Sequence, residues 1–300
     1  MNLYKETYKL VSQIPKGKVS TYKQVAKALG DSKISRTVGQ MLSDNKNLKE
    51  IPCYRVIKSD GSVGGYRGGK PEKIRKLEKD GFIIKDEKII NFDRHLFTNF
   101  STTKPLETLR KKQSNLKKKV VTENDFDEIE IVGGFDASFK DRMQKSVGVT
   151  MQGNSLMTRV TDKRECHFPY IFSYLAFREM GGIKRCYEKM SIKPDLLFVN
   201  ASGILHPRGL GMASHLGVLL NKPTIGITQN LPYGNLKRKY IYDKNKKKGY
   251  KLQRNEKKAI YISPGHKISL QKAIEYTKKY LKDNPLPDPL YNAHKFTVWE

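Results

Sequence analysis

Residues 51–57 read Ile51-Pro52-Cys53-Tyr54-Arg55-Val56-Ile57, and this stretch decides which fold the N-terminal part of the chain is expected to adopt. It sets one cysteine between a proline and an arginine inside an apolar run. A thiolate is a strong nucleophile, and neighbouring positive charge lowers the pKa of a thiol. Pro52 fixes φ and has no N–H to donate, which suits a turn that presents the next side chain. The alternative is that Cys53 is a small buried apolar residue, and the stretch by itself favours that alternative.

The sequence on both sides of this stretch predicts a winged helix-turn-helix, a fold that usually binds DNA. Apolar spacing predicts helices over residues 4–14, 22–29, 35–42 and 73–79. Ser20 or Thr21 can cap the second of these helices, and Gly81 ends the last one. Between the third and fourth helices, Ser59-Asp60-Gly61 predicts the turn of a hairpin.

Residues 1–93 resemble the DNA-binding domain of the O6-alkylguanine-DNA alkyltransferases. The family pattern is a tyrosine, Arg-Ala-Val-Gly, an asparagine, Pro-Cys-His-Arg-Val and Gly-x-Tyr-x-Gly-Gly. This chain keeps the spacing with Tyr22, Arg36-Thr37-Val38-Gly39, Asn45, Pro52-Cys53-Tyr54-Arg55-Val56 and Gly64-Gly65-Tyr66. The resemblance implies irreversible transfer of an alkyl group from O6-alkylguanine in DNA to Cys53, with no cofactor.

The resemblance also implies a role for each matching side chain. The damaged base must be flipped out, because a thiolate cannot reach the O6 carbon inside the base stack. Arg36 corresponds to the finger that fills the gap left by the flipped base, and Tyr22 to the tyrosine that pushes on the neighbouring phosphate. Asn45 corresponds to the hinge that braces the active-site turn, and Tyr66 to the aromatic wall against the guanine. The alternative is that the tyrosines are core residues and Arg36 is a solvated charge.

Three positions depart from the alkyltransferase pattern. Tyr54 replaces the histidine that relays a proton from the cysteine, and Asp80 stands where the relay ends in a glutamate. A tyrosine hydroxyl, with a reference pKa near 10, is a poor base at neutral pH. The thiol is then expected to depend on helix dipoles and on Arg55. Arg67 replaces a small residue of the alkyl pocket and predicts a narrower pocket.

The composition of the whole chain points to a nucleic-acid partner. The chain has 300 residues, a formal net charge of +28 and a pI of about 9.8. Such a basic chain suits a polyanion such as DNA, although a lysine-rich surface can also serve solubility alone. Its three cysteines, without a Cys-x-x-Cys pair, favour a reducing interior over disulfides or zinc. No apolar run reaches the roughly 18 residues of a membrane helix, so we expect a cytoplasmic protein without a membrane partner.

The remainder of the chain predicts a second domain over residues 105–300, after a linker at 94–104. Residues 105–120 have a helical pattern, and the pattern changes to strands from Glu130. Three antiparallel strands are predicted first, over residues 131–135, 146–151 and 156–160. Strands at 195–199, 224–228 and 259–262 then alternate with a loop and long helix within 169–190 and with helices at 209–220 and 269–281. This order predicts a ribonuclease H-like fold and an α/β protein of two domains.

Two carboxylates in this second domain suggest a metal site. Asp136 ends the first strand, and Glu179 lies on the following helix. Two such groups can hold Mg²⁺, which prefers hard oxygen ligands and leaves coordination positions open for phosphate. The alternative is that both are surface charges, and their spacing alone favours it.

Residues 105–297 resemble endonuclease V, in which a Mg²⁺-dependent nuclease nicks DNA one phosphodiester beyond the bond next to deoxyinosine. The matching motifs are Phe135-Asp136-Ala137-Ser138, Pro169-Tyr170-Ile171, residues 175–179, Gly203–Arg208, residues 213–217, Pro223–Gly226 and residues 265–269. The resemblance makes Asp136 and Glu179 metal ligands, Tyr170 the wedge beside the flipped base and His266 a catalytic histidine. It places His206 and Arg208 in the loop that meets the lesion.

The endonuclease V pattern is broken at three positions. The third metal-site aspartate is Asn200, the lysine after the Thr-Ile-Gly strand is Gln229, and the second proline of the wedge is Phe172. Asn200 can still offer a carbonyl oxygen but removes one negative charge. We therefore expect weaker metal affinity, with a need for more Mg²⁺ or for Mn²⁺ in its place.

Three functions remain open from the sequence. The leading one is a bifunctional DNA-repair enzyme that acts on double-stranded DNA containing O6-alkylguanine or deoxyinosine. The competing one is a protein that binds damaged bases without turnover, because the departures at Tyr54, Asp80, Asn200 and Gln229 could disable both sites. A general basic DNA-binding protein is the third, and it leaves the lesion-site residues at family spacing unexplained.

Overall fold

The computed structural model describes residues 1–253 and 258–299. By contacts between Cα atoms the chain divides into two compact units. Unit 1 comprises residues 1–111 and 167–171, and unit 2 comprises residues 112–166 and 172–300. The domain limits at 93 and 105 stay predictions. No helix in the described ranges is long and apolar enough to cross a membrane.

Unit 1 contains short helices and two small two-stranded sheets. Its elements are α1 (Leu3–Val11), β1 (Ser20–Thr21), α2 (Tyr22–Ala28), α3 (Ser35–Ser43), β2 (Val56–Ile57), α4 (Lys70–Lys79), β3 (Ile84–Lys85), β4 (Lys88–Ile89) and the first part of α5 (Pro105–Lys117). The Thr21 hydroxyl caps α2 by accepting a hydrogen bond from the Gln24 N–H at 3.1 Å, so Thr21 is the cap and not Ser20. Gly81, with φ of +94°, follows the end of α4 in the left-handed region.

The hairpin predicted at Asp60-Gly61 is wrong: the structure has a turn there but, among the residues it describes, no pair of antiparallel strands joined by it. The Lys58 N–H does donate to the Ser62 carbonyl across this turn, but β2 before it pairs in parallel with β1. Asp60 holds the turn locally, because its carboxylate accepts from the N–H and the hydroxyl of Ser62. The antiparallel pair of strands in this region is β3 and β4.

Unit 2 is built around a nine-stranded sheet. Its strands are β5 (Ile131–Lys140), β6 (Met143–Gln152), β7 (Ser155–Glu165), β8 (Leu196–Val199), β9 (Thr224–Thr228), β10 (Asn235–Lys237), β11 (Tyr240–Asp243), β12 (Lys246–Leu252) and β13 (Ile260–His266). They lie in the order β10-β11-β12-β13-β9-β8-β5-β6-β7. Strands β5, β8 and β9 are parallel neighbours, and the other pairings are antiparallel. The three antiparallel strands and the parallel strands β8 and β9 agree with the prediction, whereas the last predicted strand, β13, is antiparallel to β9 and corrects it.

Four helices cover this sheet: α6 (Leu175–Lys189), α7 (Met212–Leu220), α8 (Leu270–Tyr280) and α9 (Asp288–Thr297). One apolar cluster packs α6 and α7 against β5 and β8, and another packs α8 and the start of α9 against β8, β9 and β13. The sequence did not predict α9 or strands β10 to β12.

Helix α9 approaches β5 unusually closely. A Cβ atom at Gly134 would lie 1.9 Å from the Pro289 carbonyl oxygen, so only glycine fits there. This contact fixes the start of α9 beside the strand that carries Asp136.

Candidate active sites

The first site centres on Cys53, which opens a short 3-10 turn after Pro52. Its side chain is buried, and the Asn45 side-chain N–H donates to its Sγ at 3.2 Å. The Asn45 amide also bonds the backbone of Asn47 with both its oxygen and its nitrogen. The structure therefore brings the predicted hinge residue directly to the predicted nucleophile.

Tyr54, Arg55 and Asp80 form a separate polar cluster. The Tyr54 hydroxyl donates to Asp80 Oδ2 at 3.2 Å, and Arg55 Nε donates to the same oxygen at 2.7 Å. Arg55 also donates to the Ile14 carbonyl at 2.8 Å. The expected electrostatic support of the thiol by Arg55 is thus not what the structure provides, because the guanidinium is committed to Asp80.

The cation that acts on the thiol is Lys73, a residue that the sequence did not single out. Burial raises the pKa of the Cys53 thiol, whereas the Asn45 hydrogen bond and the Lys73 charge lower it. Lys73 is fully buried on α4, and its ammonium donates to the carbonyls of Val56 at 2.6 Å and Gly65 at 3.1 Å. Its position one turn before the buried Leu77, on the same face of α4, is the sequence signal that could have identified it.

The two aromatic candidates lie beside this cluster. The Tyr22 hydroxyl donates at 3.3 Å to the Gly65 carbonyl that also binds Lys73, and the Lys73 ammonium lies 5.8 Å from the centre of the Tyr22 ring. The Tyr66 hydroxyl is buried and has no hydrogen-bond partner among the described residues. Arg36 is exposed on α3. Arg67 donates to the Ser43 carbonyl at the end of α3.

We expect the stability of unit 1 to rise with pH above neutrality because of Lys73. Burial lowers the pKa of Lys73 to about 7, so above that pH the unfolded chain binds a proton that the folded chain lacks. The raised pKa of Cys53 reduces the stability of the folded state only above about pH 8.5, where the thiol of the unfolded chain ionises. Between pH 7 and 8.5 the gain is at most about 2 kcal/mol. The change in stability is measured by amide hydrogen exchange of peptides from residues 53–65 at each pH, after correction for the intrinsic exchange rates.

The matched variants are Lys73→Met and Lys79→Met, the second at an exposed position of the same helix. Lys73→Met should remove the pH dependence, and Lys79→Met should keep it. An unchanged dependence in Lys73→Met would show that another group titrates.

The second site centres on Asp136 of β5, a buried carboxylate with three neighbours. Asp136 Oδ1 accepts from the Ala137 N–H at 2.8 Å and from the Asn200 side-chain N–H at 2.9 Å. Asn200 directly follows β8, so adjacent parallel strands bring these two residues together, as the sequence predicted. His294 Nδ1 lies 2.7 Å from Asp136 Oδ2.

Glu179 completes the acidic part of this site. Burial and the neighbouring Asp136 carboxylate raise the pKa of Glu179 to about 8, while the Arg178 charge lowers it. Two carboxylates close enough to oppose each other's ionisation, together with the Asn200 amide, form the hard oxygen donor set that suits a divalent cation. The described residues contain no metal-binding group of three or more His, Cys, Asp or Glu side chains, which agrees with an asparagine at the third position.

The histidine beside the carboxylates is His294, and His266 lies elsewhere. His266 is buried at the end of β13, where its Nδ1 accepts from the Val121 N–H at 3.2 Å. His294 lies on α9, and hydrogen bonding to Asp136 raises its pKa. Gln229 follows β9 and is exposed.

The predicted lesion loop is held in place by the contacts of His206 and Arg208. His206 Nε2 lies 3.2 Å from the Ser173 carbonyl, and its ring stacks on Phe172 with centroids 6.4 Å apart. Burial and Arg208 lower the pKa of His206 to about 4, so it is neutral at physiological pH. Arg208 donates to Gln113 Oε1 at 2.7 Å and covers the Tyr174 ring at 4.5 Å. Tyr170, the predicted wedge, is 61% exposed.

Two protein families match the two parts of the chain. Residues 114–295 match the endonuclease V family, and residues 2–82 match the DNA-binding domain of 6-O-methylguanine DNA methyltransferase. A bifunctional methyltransferase/endonuclease of Picrophilus torridus is 39% identical over 298 residues, which cover 99% of this chain and 96% of the relative. The chain belongs to the bifunctional methyltransferase/endonuclease family.

Other members and structures agree with this assignment. The bifunctional methyltransferase/endonuclease of Thermoplasma volcanium is 36% identical over 89% of this chain and 80% of the relative. The structure of Ciona intestinalis endonuclease V with a 24-mer DNA containing an inosine has 27% identity and a TM-score of 0.59, and it covers 64% of this chain and 95% of that chain. Membership of the endonuclease V family implies a nuclease that depends on a divalent metal.

Proposed function

We propose that this chain repairs two kinds of damaged base in double-stranded DNA. It takes the alkyl group from O6-alkylguanine onto Cys53, and it nicks the strand on the 3′ side of deoxyinosine with Mg²⁺. The observation that carries the proposal is that each half keeps its reactive group in a built site, with Asn45 on the thiol and Asn200 and His294 on Asp136. Its cytoplasmic location stays a prediction from the sequence.

Alkyl transfer requires the thiol to lose its proton and attack the carbon attached to O6. The thiolate electron pair forms the S–C bond, the C–O6 pair stays with guanine, and guanine takes up one proton. Asn45 orients Sγ with its N–H, and Lys73 favours the thiolate when its amine is protonated. Tyr54 donates to Asp80, which supports a role in holding the loop after Cys53 and gives no support for a proton relay.

We propose that the polar and aromatic side chains around Cys53 bind the flipped base and the DNA beside it. The buried Tyr66 hydroxyl, which has no hydrogen-bond partner within residues 1–253 and 258–299, suits a polar edge of guanine, and the exposed Arg36 suits the gap left in the DNA helix. Tyr22 lies beside Lys73, where its hydroxyl can exchange the Gly65 carbonyl for a DNA phosphate. Arg67, tied to the end of α3, narrows the pocket and favours a methyl group over larger alkyl groups.

Strand cutting is assigned to Asp136, Glu179 and Asn200. A divalent cation, when bound, polarises the phosphate and ionises the attacking water. The protein contributes two carboxylate oxygens and one amide oxygen, with Mg²⁺ as the proposed ion and Mn²⁺ as its substitute. His294 and the Ala137 N–H hold the Asp136 carboxylate in one orientation.

Recognition of deoxyinosine is assigned to the loop of His206 and Arg208 and to the exposed aromatic side chains before α6. Neutral His206 is buried and shapes the loop, because its Nε2–H donates to the Ser173 carbonyl and its Nδ1 accepts from the Arg208 N–H, while its stacked partner Phe172 is 44% exposed and can contact the base. Tyr170, in unit 1, is a large exposed aromatic residue that can stack on a DNA base, and its role as the wedge is proposed from the resemblance to endonuclease V.

A damage-binding protein without turnover is the second candidate. The observation that favours it is the Asn200 side-chain N–H, which donates to Asp136 and removes one negative charge from the metal site. The test is to incubate the protein with duplexes that carry either O6-methylguanine or deoxyinosine, with Mg²⁺ or Mn²⁺. Repair predicts a methylated protein and a nicked strand, and a pure binder predicts tight lesion-dependent binding with neither product.

We expect His294, and not His266, to be required for nicking. His294→Ala removes the group that orients Asp136, and losing such a partner typically lowers metal affinity or activity by roughly 10- to 100-fold. His294→Gln should recover part of the rate, because its amide can still bond the carboxylate. Nicking of a deoxyinosine duplex across a Mg²⁺ titration measures both effects.

His266→Gln is the comparison, because its ring bonds only the Val121 backbone among the described contacts. It should change nicking by a few-fold at most if circular dichroism shows the fold retained. A larger loss in His266→Gln than in His294→Ala would return the catalytic role to His266.

A further inference from the structure

Strands β10 to β12 carry a dense group of basic side chains that neither repair reaction uses. We call residues 235–252 the basic meander. Within these 18 residues stand eight basic side chains, Lys237, Arg238, Lys239, Lys244, Lys246, Lys247, Lys248 and Lys251, and one acidic side chain, Asp243. A quarter of the net charge of the chain is therefore concentrated in a small part of its length.

The basic meander is ordered by its own contacts, although it is highly charged. The Tyr240 and Tyr250 rings meet edge to face at 5.2 Å, and the Lys247 ammonium lies 4.6 Å from the centre of the Tyr240 ring. The only ion pair within the meander, among the described residues, joins Lys248 to Asp243. The other cations stay without a carboxylate partner there, and such repulsion opposes folding unless an anionic partner offsets it.

Strand directions separate the basic meander into two ends. Lys251 pairs with Tyr261, which pairs with Thr228 at the carboxyl end of β9, and the Lys251 N–H donates to the Lys239 carbonyl. The β10–β11 turn therefore lies at the edge of the sheet where β8 ends and Asn200 follows. The β11–β12 turn at Lys244 lies at the opposite edge.

The distance along this edge from the β10–β11 turn to the strand of Asp136 can be expressed as a length of DNA duplex. β10 lies six strand positions from β5, and β11 lies five. At about 4.8 Å per strand, the β10–β11 turn lies roughly 24–29 Å from the strand of Asp136. With a rise of about 3.4 Å per base pair, this span corresponds to roughly seven or eight base pairs.

We propose that Lys237, Arg238 and Lys239 bind backbone phosphates of duplex DNA on one side of the nuclease site. All three residues are exposed, and they lie on the sheet edge that carries Asp136 and Asn200. This inference rests on the proposed nuclease function for its choice of DNA. The contact is independent of base sequence, because lysine and arginine neutralise phosphates without reading base edges.

The test compares two triple variants of the full-length protein. Lys237→Gln/Arg238→Gln/Lys239→Gln changes the edge proposed to face the DNA, and Lys222→Gln/Lys244→Gln/Lys246→Gln removes equal charge from the opposite edge, where Lys222 precedes β9. Binding to a deoxyinosine duplex is measured against salt in EDTA. The first variant should reduce the steepness of log affinity against log salt by about 2–3, since each phosphate contact contributes about 0.9. The second should leave it near the wild-type value.

A duplex-length series provides the second measurement. Wild-type affinity should fall when the arm on one side of deoxyinosine becomes shorter than roughly eight base pairs. The Lys237/Arg238/Lys239 variant should lack this step, and the control variant should show it. Equal salt slopes for both triple variants, or no length step in the wild type, would overturn the proposal. Because EDTA prevents cutting, a failure of the nuclease proposal would appear separately, as absence of nicking with metal.

Discussion

Cys53→Ala is expected to abolish alkyl transfer completely. The wild-type protein, mixed with duplex DNA that carries O6-methylguanine, should gain the mass of one methyl group per chain and then stop. The reason is that the thioether formed at Sγ is stable and no described group can regenerate the thiol. Intact-mass measurement with peptide mapping locates the added group.

Cys186→Ala is the matched control, because Cys186 is also a buried free thiol. Burial raises the pKa of Cys186 to about 12, and its Sγ donates to the Ser146 carbonyl, so it should take no methyl group. A wild-type protein of unchanged mass that binds the lesion tightly would contradict alkyl transfer and favour the damage-binding protein.

The second large effect is expected at the metal site. Asp136→Ala should abolish nicking near deoxyinosine, because Asp136 is the carboxylate on which Asn200 and His294 converge. Asn200→Asp should lower the Mg²⁺ concentration for half-maximal nicking by roughly tenfold or more, because affinity for such cations depends on the number of charged ligands. Nicking of a labelled duplex across a Mg²⁺ series measures both.

Asn200→Asp also gives a readout that does not depend on activity. Without metal, Asn200→Asp would add a third carboxylate to Asp136 and Glu179, across the 2.9 Å contact with Asp136, and should lower the melting temperature, and Mg²⁺ should restore it. Asn221→Asp adds the same charge at the exposed C-terminal end of α7, where it can lower the melting temperature slightly by opposing the helix dipole, but Mg²⁺ should not change its melting temperature. If Asn200→Asp nicks DNA and the wild type does not at any Mg²⁺ or Mn²⁺ concentration, the natural site binds the damaged base but has no nuclease activity.

Local patterns allowed much of both sites to be predicted. Asp136 and Asn200 each follow an apolar run, and neighbouring parallel strands bring the ends of such runs together. Cys53 and Asn45 lie eight residues apart, so one turn is enough to join them. In these cases a short segment already contains the geometry.

The features of the sites that the sequence did not predict depend on packing between segments that are far apart in the chain. His294 reaches Asp136 across 158 positions of sequence, and nothing in the short amphipathic α9 shows which strand it will cover. Lys73 lies one turn before Leu77 on the same face of α4, and this spacing is the one local signal that separates it from the other lysines of the helix. The basic meander lacks the apolar alternation that reveals a strand, because Ile241 and Gly249 are the buried residues of β11 and β12 and tyrosines and lysines surround them.

Gly134 shows that a residue can control the chemistry without ever approaching the DNA. Any side chain there would push away the start of α9, and with it the histidine that holds Asp136. Genetic variants at Gly134 should therefore be scored as nuclease-site variants, with normal alkyl transfer and lost nicking. Although Gly134 lies only two residues before Asp136 on β5, its effect would pass through the position of α9 and not through a contact with the substrate.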